Sequence, residues 1–199
     1  IKFIRVIGCV ALFAFGGFSA KAEITALKLG VLKYGTVNWE LNVLKHHKLD
    51  AKHGLDVEVI GFAGKQASSV ALQGGAVDSI VTDWLWTSRQ RTEGKAFTFI
   101  PYSVSVGALM VDKDSPINAI EDLKGRKIGI AGGPLDKSWL LVRALAKKKH
   151  GFDLNKAVEK VFGAPPLLSN QLEQGHVDAV LTFWHFAAKL EAKGMRVVV

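Results

Sequence analysis

The chain repeats itself once, at a spacing of 100 residues. Leu72, Gly75, Val77, Asp78, Thr82 and Trp84 are matched by Leu172, Gly175, Val177, Asp178, Thr182 and Trp184. The same offset pairs Trp39 with Trp139 and Leu41 with Leu141, and Lys28-Leu29-Gly30-Val31 is echoed by Lys127-Ile128-Gly129-Ile130. Solenoid repeats are shorter, roughly 20–50 residues. A single long repeat instead calls for two similar domains with strand, helix, strand, helix, strand in each.

The pattern between the matches names the class. Short β-rich runs alternate with helical stretches, which predicts an α/β fold with mainly parallel strands. Strands are expected over 27–32, 55–61, 77–82, 127–131, 158–162 and 177–183, with a last one over 195–199. Helices are expected over 35–53, 66–73, 85–93, 134–150, 167–174 and 185–193, several closed by a glycine in the C-cap role. Between the halves, 97–111 reads as a long extended run interrupted by Pro101, followed by a short helix over 119–124. Two such domains leave a cleft between them. In open α/β sheets ligands sit beyond the carboxyl ends of the strands, where helix N-termini supply N–H donors.

The opening residues have a different character. Lys2 and Arg5 precede an almost wholly apolar run from Val6 to Phe18, and Ala20-Lys21-Ala22 follows. Basic, apolar, then Ala-x-Ala is the order of a secretory signal peptide. The run is too short to span a bilayer, which takes about 20 apolar residues. Cleavage is expected after Ala22. Val6-Ile7-Gly8-Cys9 offers a lipoprotein alternative, although most of the apolar run lies beyond Cys9. Loss of residues 1–22 would remove Lys2, Arg5 and Lys21 and lower the net charge from +8 to +5. It would also remove the one cysteine, which excludes a disulfide, a thiolate metal site and a cysteine nucleophile. The mild positive balance suits a small anionic ligand and makes no nucleic-acid-binding stripe. At the other end the chain stops on Arg196-Val197-Val198-Val199, an apolar β-branched run without a polar exit, and a C-terminal truncation is expected.

Several stretches carry a family resemblance. They are Leu29-Gly30-Val31 leading into a helix, and Ala71-Leu72 before Gly74 to Asp78. Further on come Ser115-Pro116 before Asp122 to Ile128, and Gly175-His176-Val177-Asp178-Ala179 before Trp184. In these the chain resembles the solute-binding proteins of the nitrate/sulfonate/taurine class of ABC importers, from about Leu27 to Leu190. The resemblance implies a bilobal, Venus-flytrap periplasmic-binding-protein fold of type 2, incomplete at its C-terminus. Residues 23–102 would form a first lobe and residues 103–199 a second. It implies a monomer in the periplasm that captures a small organic anion or zwitterion and hands it to a membrane permease, with no cofactor. A sensing or accessory role is the alternative. A thiamine-pyrimidine-synthase-like enzyme, also related to this broad family, would need a cysteine-rich motif that is missing after Cys9. Sulfonate binders of the class carry a serine-rich stretch after the strand at Lys127 to Ala131. This chain has Gly132-Gly133-Pro134-Leu135-Asp136-Lys137-Ser138 there.

The loops after the strands supply the candidate binding residues. The first gives Tyr34 and Asn38 for a polar head group, Thr36 beside them, and Trp39 for an apolar body. Each has a plainer role available, and Trp39 is equally a helix core position. The second gives Lys65 and Gln66 at a helix start. The third gives Thr82, Asp83 and Trp84, with Asp83 equally suited to capping the next helix. Tyr102 lies on the run between the domains. The second domain contributes Gly133, Asp136, Lys137 and Ser138 around a helix start, and Trp184 after the repeated strand. His185 reads as a helix-surface residue. No metal site is expected, because His46 and His53 lie two helical turns apart, roughly 10 Å. Gly133 to Ser138 lacks the glycine that a phosphate loop places before its lysine.

Overall fold

The structure is a computed structural model that describes residues 24–199. The expected signal peptide and Cys9 therefore lie outside the described residues. The chain forms two α/β lobes, each around its own sheet.

The first sheet holds β1 (Thr25–Leu32), β2 (Leu55–Phe62) and β3 (Ser79–Ile80) in the order β2-β1-β3, all parallel. Its connections are α1 (Val37–His46), α2 (Leu49–Lys52) and α3 (Lys65–Gln73), and α4 (Trp84–Thr92) follows β3. The second sheet holds β4 (Ala108–Val111), β5 (Lys127–Ala131), β6 (Glu159–Gly163), β7 (Ala179–Thr182) and β8 (Arg196–Val197) in the order β6-β5-β7-β4-β8. Its helices are α5 (Lys137–His150), α6 (Leu154–Ala157), α7 (Pro165–Glu173) and α8 (Trp184–Glu191), with a 3-10 turn at Ile120–Leu123. The order β6-β5-β7 reproduces β2-β1-β3, so the sequence repeat is a repeat of topology.

The repeated residues make the same local structure twice. Gly75 and Gly175 both take a left-handed φ of +71° just after their helices, a conformation open to glycine at little cost. Val77 and Val177 then drop into the two cores. Asp78 accepts the Lys28 N–H at 2.7 Å and its own N–H donates to the Lys28 carbonyl at 2.9 Å. Asp178 does the same to Lys127, at 2.7 and 2.8 Å. Each aspartate thus clasps a lysine of the neighbouring central strand, Lys28 within β1 and Lys127 at the start of β5.

The tryptophan pair behaves otherwise. Trp139 is 1% exposed and Trp39 is 59% exposed, whereas Leu41 is 7% exposed and Leu141 44%. Residues two apart on a helix differ by about 200° around the axis. The two helices start in register yet turn opposite faces to their sheets, so shared spacing carried no shared burial here.

The second lobe has the deeper core. Leu109, Val111, Ile128, Ile130, Ala179 and Leu181 face Trp139 and Val142 of α5. Met110, Ala131 and Val180 face Leu168 and Leu172 of α7 and Ala187 and Leu190 of α8. Burial on both faces explains why these strands read as unbroken apolar runs. In the first lobe the buried apolar set shrinks to Val31, Leu41, Val57 and Val77.

Several expected elements are corrected. The helix expected over 35–53 breaks at Lys48, whose φ of +52° separates α1 from α2. The strand expected over 77–82 pairs only at Ser79 and Ile80, with the Asp78 and Val81 N–H groups donating to the Lys28 and Gly30 carbonyls on either side. The helix expected from Pro134 starts at Lys137, since Asp136 takes the N-cap. The strands are mainly parallel, as expected; β4 alone runs antiparallel, to both β7 and β8. Residues 95–107 carry no regular secondary structure, and Phe97 stacks on Trp86 with ring centroids 5.6 Å apart. Among the described residues no helix is long and apolar enough to cross a membrane.

Candidate functional site

The loops at the carboxyl ends of the strands face each other across the two lobes. They enclose a cavity of about 250 Å³. Leu32, Tyr34 and Gly64 to Gln66 line it from the first lobe; Gly132, Gly133, Phe162 to Pro165 and Phe183 line it from the second. A second space of about 90 Å³ adjoins it, bounded by Ser69, Thr82, Asp83, Trp86, Pro134 and Leu135. Lys65, Gln66 and Gly132 border both.

Lys65 joins the lobes. Its ammonium lies 2.6 Å from Asp136 Oδ2 across the cleft, 3.5 Å from Asp83 Oδ2 in its own lobe, and 5.8 Å from the Phe183 ring centre. Asp136 is 2% exposed. Its other oxygen caps α5, accepting the Ser138 and Trp139 N–H groups at 2.9 and 3.4 Å. Asp83 caps α4 in the same way, with Oδ1 accepting the Trp86 N–H at 3.0 Å. Asp83, expected as either a cap or a ligand contact, and Asp136, expected as a ligand contact at a helix start, are each a cap with one oxygen, and both point the other at Lys65.

The repeat shows how one lobe became polar and the other apolar. Lys65 and Pro165 occupy equivalent positions at the starts of α3 and α7, and Asp83 and Phe183 are equivalent at the starts of α4 and α8. Exchange of a charge for a ring at two matched positions leaves the charges on the first lobe, apart from Asp136.

A second contact between lobes closes one rim. Trp39 meets Trp184 edge-on with ring centres 6.2 Å apart, and His185 at 6.1 Å. His185 Nε2 donates to the Tyr34 carbonyl at 2.8 Å. Its Nδ1 is buried without a partner among the described residues. Burial holds the imidazole below the ordinary value of 6.5, and the bond to Tyr34 opposes that in part.

The remaining sequence candidates are dispersed. Thr36 is the N-cap residue of α1 without a side-chain cap bond. The Asn38 amide donates to the carbonyls of Leu32 and Gly35, at 2.8 and 2.7 Å, and so ties the first loop together. Trp84 is exposed and lies outside both linings, as does Tyr102. Partial burial and the nearby Glu40 carboxylate hold the Tyr102 phenol above 10.0. Lys137 and Ser138 open α5, where the Ser138 N–H is taken by Asp136. The loop Phe162 to Pro165 was missed. The rule that selected the other loops would have found it, had it been applied to the strand that ends at Gly163. Phe183 was missed because the repeat drew attention to its neighbours Thr182 and Trp184. Among the described residues no group of three potential ligands is placed to hold a metal.

Two α/β lobes with facing strand ends and a cavity between them define the bilobal periplasmic-binding-protein fold. The chain belongs to the NMT1/THI5-like family, whose model matches residues 50–199. Its fold is similar to that of the periplasmic aliphatic sulphonate binding protein SsuA from Escherichia coli, at 23% identity and a TM-score of 0.67, over 87% of this chain and 60% of that one. It is similar also to the alkanesulfonate-binding protein SsuA from Xanthomonas axonopodis pv. citri bound to MOPS, at 20% identity and a TM-score of 0.69, over 89% and 61%. A protein from Bordetella bronchiseptica aligns at 24% identity and a TM-score of 0.66, over 88% and 56%. The chain thus spans about 60% of the length of these structures. No curated protein matches it.

Proposed function

We propose that the protein is the extracytoplasmic substrate-binding subunit of an ABC importer. It captures a small organic anion or zwitterion between its lobes and delivers it to a permease in the inner membrane. It acts as a monomer in the periplasm and binds its ligand without covalent chemistry. The observation that carries this reading is the cavity between the strand ends, bordered by both lobes and crossed by the Lys65–Asp136 pair. A ligand there touches both lobes only when they are together. Its binding energy therefore favours the joined arrangement, the state a permease can read. Family membership and the fold of the sulfonate-binding neighbours support the same reading. The cavity suits a ligand of a few heavy atoms with an apolar body against Leu32, Phe162, Pro165 and Phe183.

The test is a thermal-shift screen of the full chain against alkanesulfonates, aminosulfonates, nitrate and pyrimidines. A ligand present at 100 times its Kd stabilises the folded state by about 2.7 kcal/mol, which appears as a rise in Tm. A hit lost on Lys65→Ala or Phe183→Ala supports the site. A panel that moves Tm nowhere, or a hit indifferent to both changes, overturns the assignment.

A further inference from the structure

We infer that the rim formed by Tyr34, Trp39, Trp184 and His185 is a pH-sensitive latch, which holds the lobes together while His185 is neutral and weakens when His185 takes up a proton. The inference goes beyond the proposed binding role, because the latch is built from the protein's own groups and works without a ligand.

The latch joins the lobes at few points. Tyr34 follows β1 and Trp39 lies in the first turn of α1, whereas Trp184 and His185 open α8. The Trp39 ring meets both partners edge-on, with centres 6.2 and 6.1 Å apart. His185 Nε2 donates to the Tyr34 carbonyl at 2.8 Å. The sequence repeat gives the first lobe no such group, since Leu85 stands at the position matched by His185.

The bond fixes the tautomer. A carbonyl only accepts, so Nε2 carries the proton and the neutral ring keeps its lone pair on Nδ1. Nδ1 is buried without a partner among the described residues. A second proton would go there, meet no acceptor and place a full charge out of water, which is costly. Trp39 and Tyr34 supply part of that cover from the other lobe, and it goes when the lobes part. Water then serves both the proton and the charge. Two effects oppose this. An imidazolium donates more strongly to the Tyr34 carbonyl than a neutral ring does, but burial is the larger influence and holds the group below its ordinary value of 6.5. Trp39 stands edge-on at 6.1 Å, at the limit of the roughly 6 Å over which a ring face holds a cation.

The charged neighbours do not compensate an imidazolium. Lys33, beside Tyr34, lies over Gly61. Glu40 follows Trp39 on α1, and its carboxylate acts on Tyr102. Lys65 of α3 is paired with Asp136 and Asp83 and lies 5.8 Å from the centre of Phe183, whose ring is 6.4 Å from the imidazole. Lys189 stands one turn further along α8. Three of these four are cations, and among the described residues no carboxylate acts on the imidazole. The neutral ring therefore favours the joined lobes above about pH 6.5, and that preference is lost as pH falls through the lowered value.

Spin labels at Val43→Cys and Ala188→Cys, in a full chain carrying Cys9→Ser, report the rim directly. Both positions are exposed and stand one helical turn beyond Trp39 and Trp184. Double electron–electron resonance without ligand should show the ratio of long to short label distances rising several-fold from pH 8 to pH 5. His185→Gln keeps an amide donor for the Tyr34 carbonyl and takes no proton, so its ratio should stay flat. Trp39→Ala should raise the long-distance share at pH 8 already, which keeps a second variant available if the first folds poorly. Distances that ignore pH, or that shorten at pH 5, overturn the inference. So does a rise that persists in His185→Gln, or a Trp39→Ala variant with the pH 8 distances of the parent. Each of these leaves the binding role standing, since no ligand enters the measurement and that role is judged by the thermal-shift screen.

Discussion

Trp39 and Trp139 stand 100 residues apart at the same helical position, and replacement of each by alanine should give opposite results. Trp139 is 1% exposed and packs among Ile128, Ile130 and Leu181. A tryptophan carries up to about 250 Å² of surface. At about 25 cal/mol/Å², its full burial is worth roughly 6 kcal/mol as an upper bound. Trp139→Ala should cost about 3–5 kcal/mol, the usual range for a large aromatic truncated in a core. Trp39 is 59% exposed and touches Trp184 and His185 across the cleft. Less than half its surface is covered, and much of that cover comes from the other lobe. Trp39→Ala should therefore cost about 1–2 kcal/mol at most. For a chain of this size 1 kcal/mol moves Tm by about 2–4 °C. Thermal unfolding followed by far-UV circular dichroism should show Trp139→Ala lower by about 6–20 °C, with Trp39→Ala within a few degrees of the unaltered protein. Equal losses would refute the assignment of opposite helix faces. The Trp139 indole N–H is also buried without a partner among the described residues. Trp139→Phe removes that donor along with the ring volume, and should cost clearly less than Trp139→Ala.

Three further outcomes follow from the same geometry. Gly107→Ala would drive its Cβ into the Thr182 carbonyl; with backbone on both sides of the clash, a loss of at least about 2 kcal/mol is expected in urea unfolding, against little change for Gly64→Ala, where the added group meets nothing. Asp136→Ala removes the α5 cap and the partner of Lys65 together and should cost about 1–3 kcal/mol, while Asp136→Asn retains a capping oxygen and should cost less; equal Tm values for the two would show that the cap contributes nothing. His185 is held below 6.5 by burial, so the unfolded chain takes up its proton first as pH falls and stability declines below about pH 6.5, levelling once pH passes the lowered value. A Tm series from pH 8 to 5 should show that component in the unaltered protein and lose it in His185→Gln.

The repeat and the loops were legible in sequence for a local reason. Gly75 and Gly175 need a left-handed turn, Val77 and Val177 need a core, and Asp78 and Asp178 need the adjacent central strand. Each requirement is met within a few residues plus one neighbouring strand, so the same residues recur at the same spacing. The repeat led to two α/β lobes, and the loops after the strands to a candidate site whose cavity Lys65, Gln66, Asp83 and Gly133 border. What tertiary structure decided was which way these elements turn. Helical spacing placed Trp39 and Trp139 alike, yet sheet packing buried one and brought the other to the rim. The sequence also could not show that Lys65 would meet Asp136, 71 residues on, because that pairing depends on how one lobe sits against the other. Sequence spacing placed Asp136 inside a helix begun at Pro134; the fold made it the cap of α5 and gave its second oxygen a lysine.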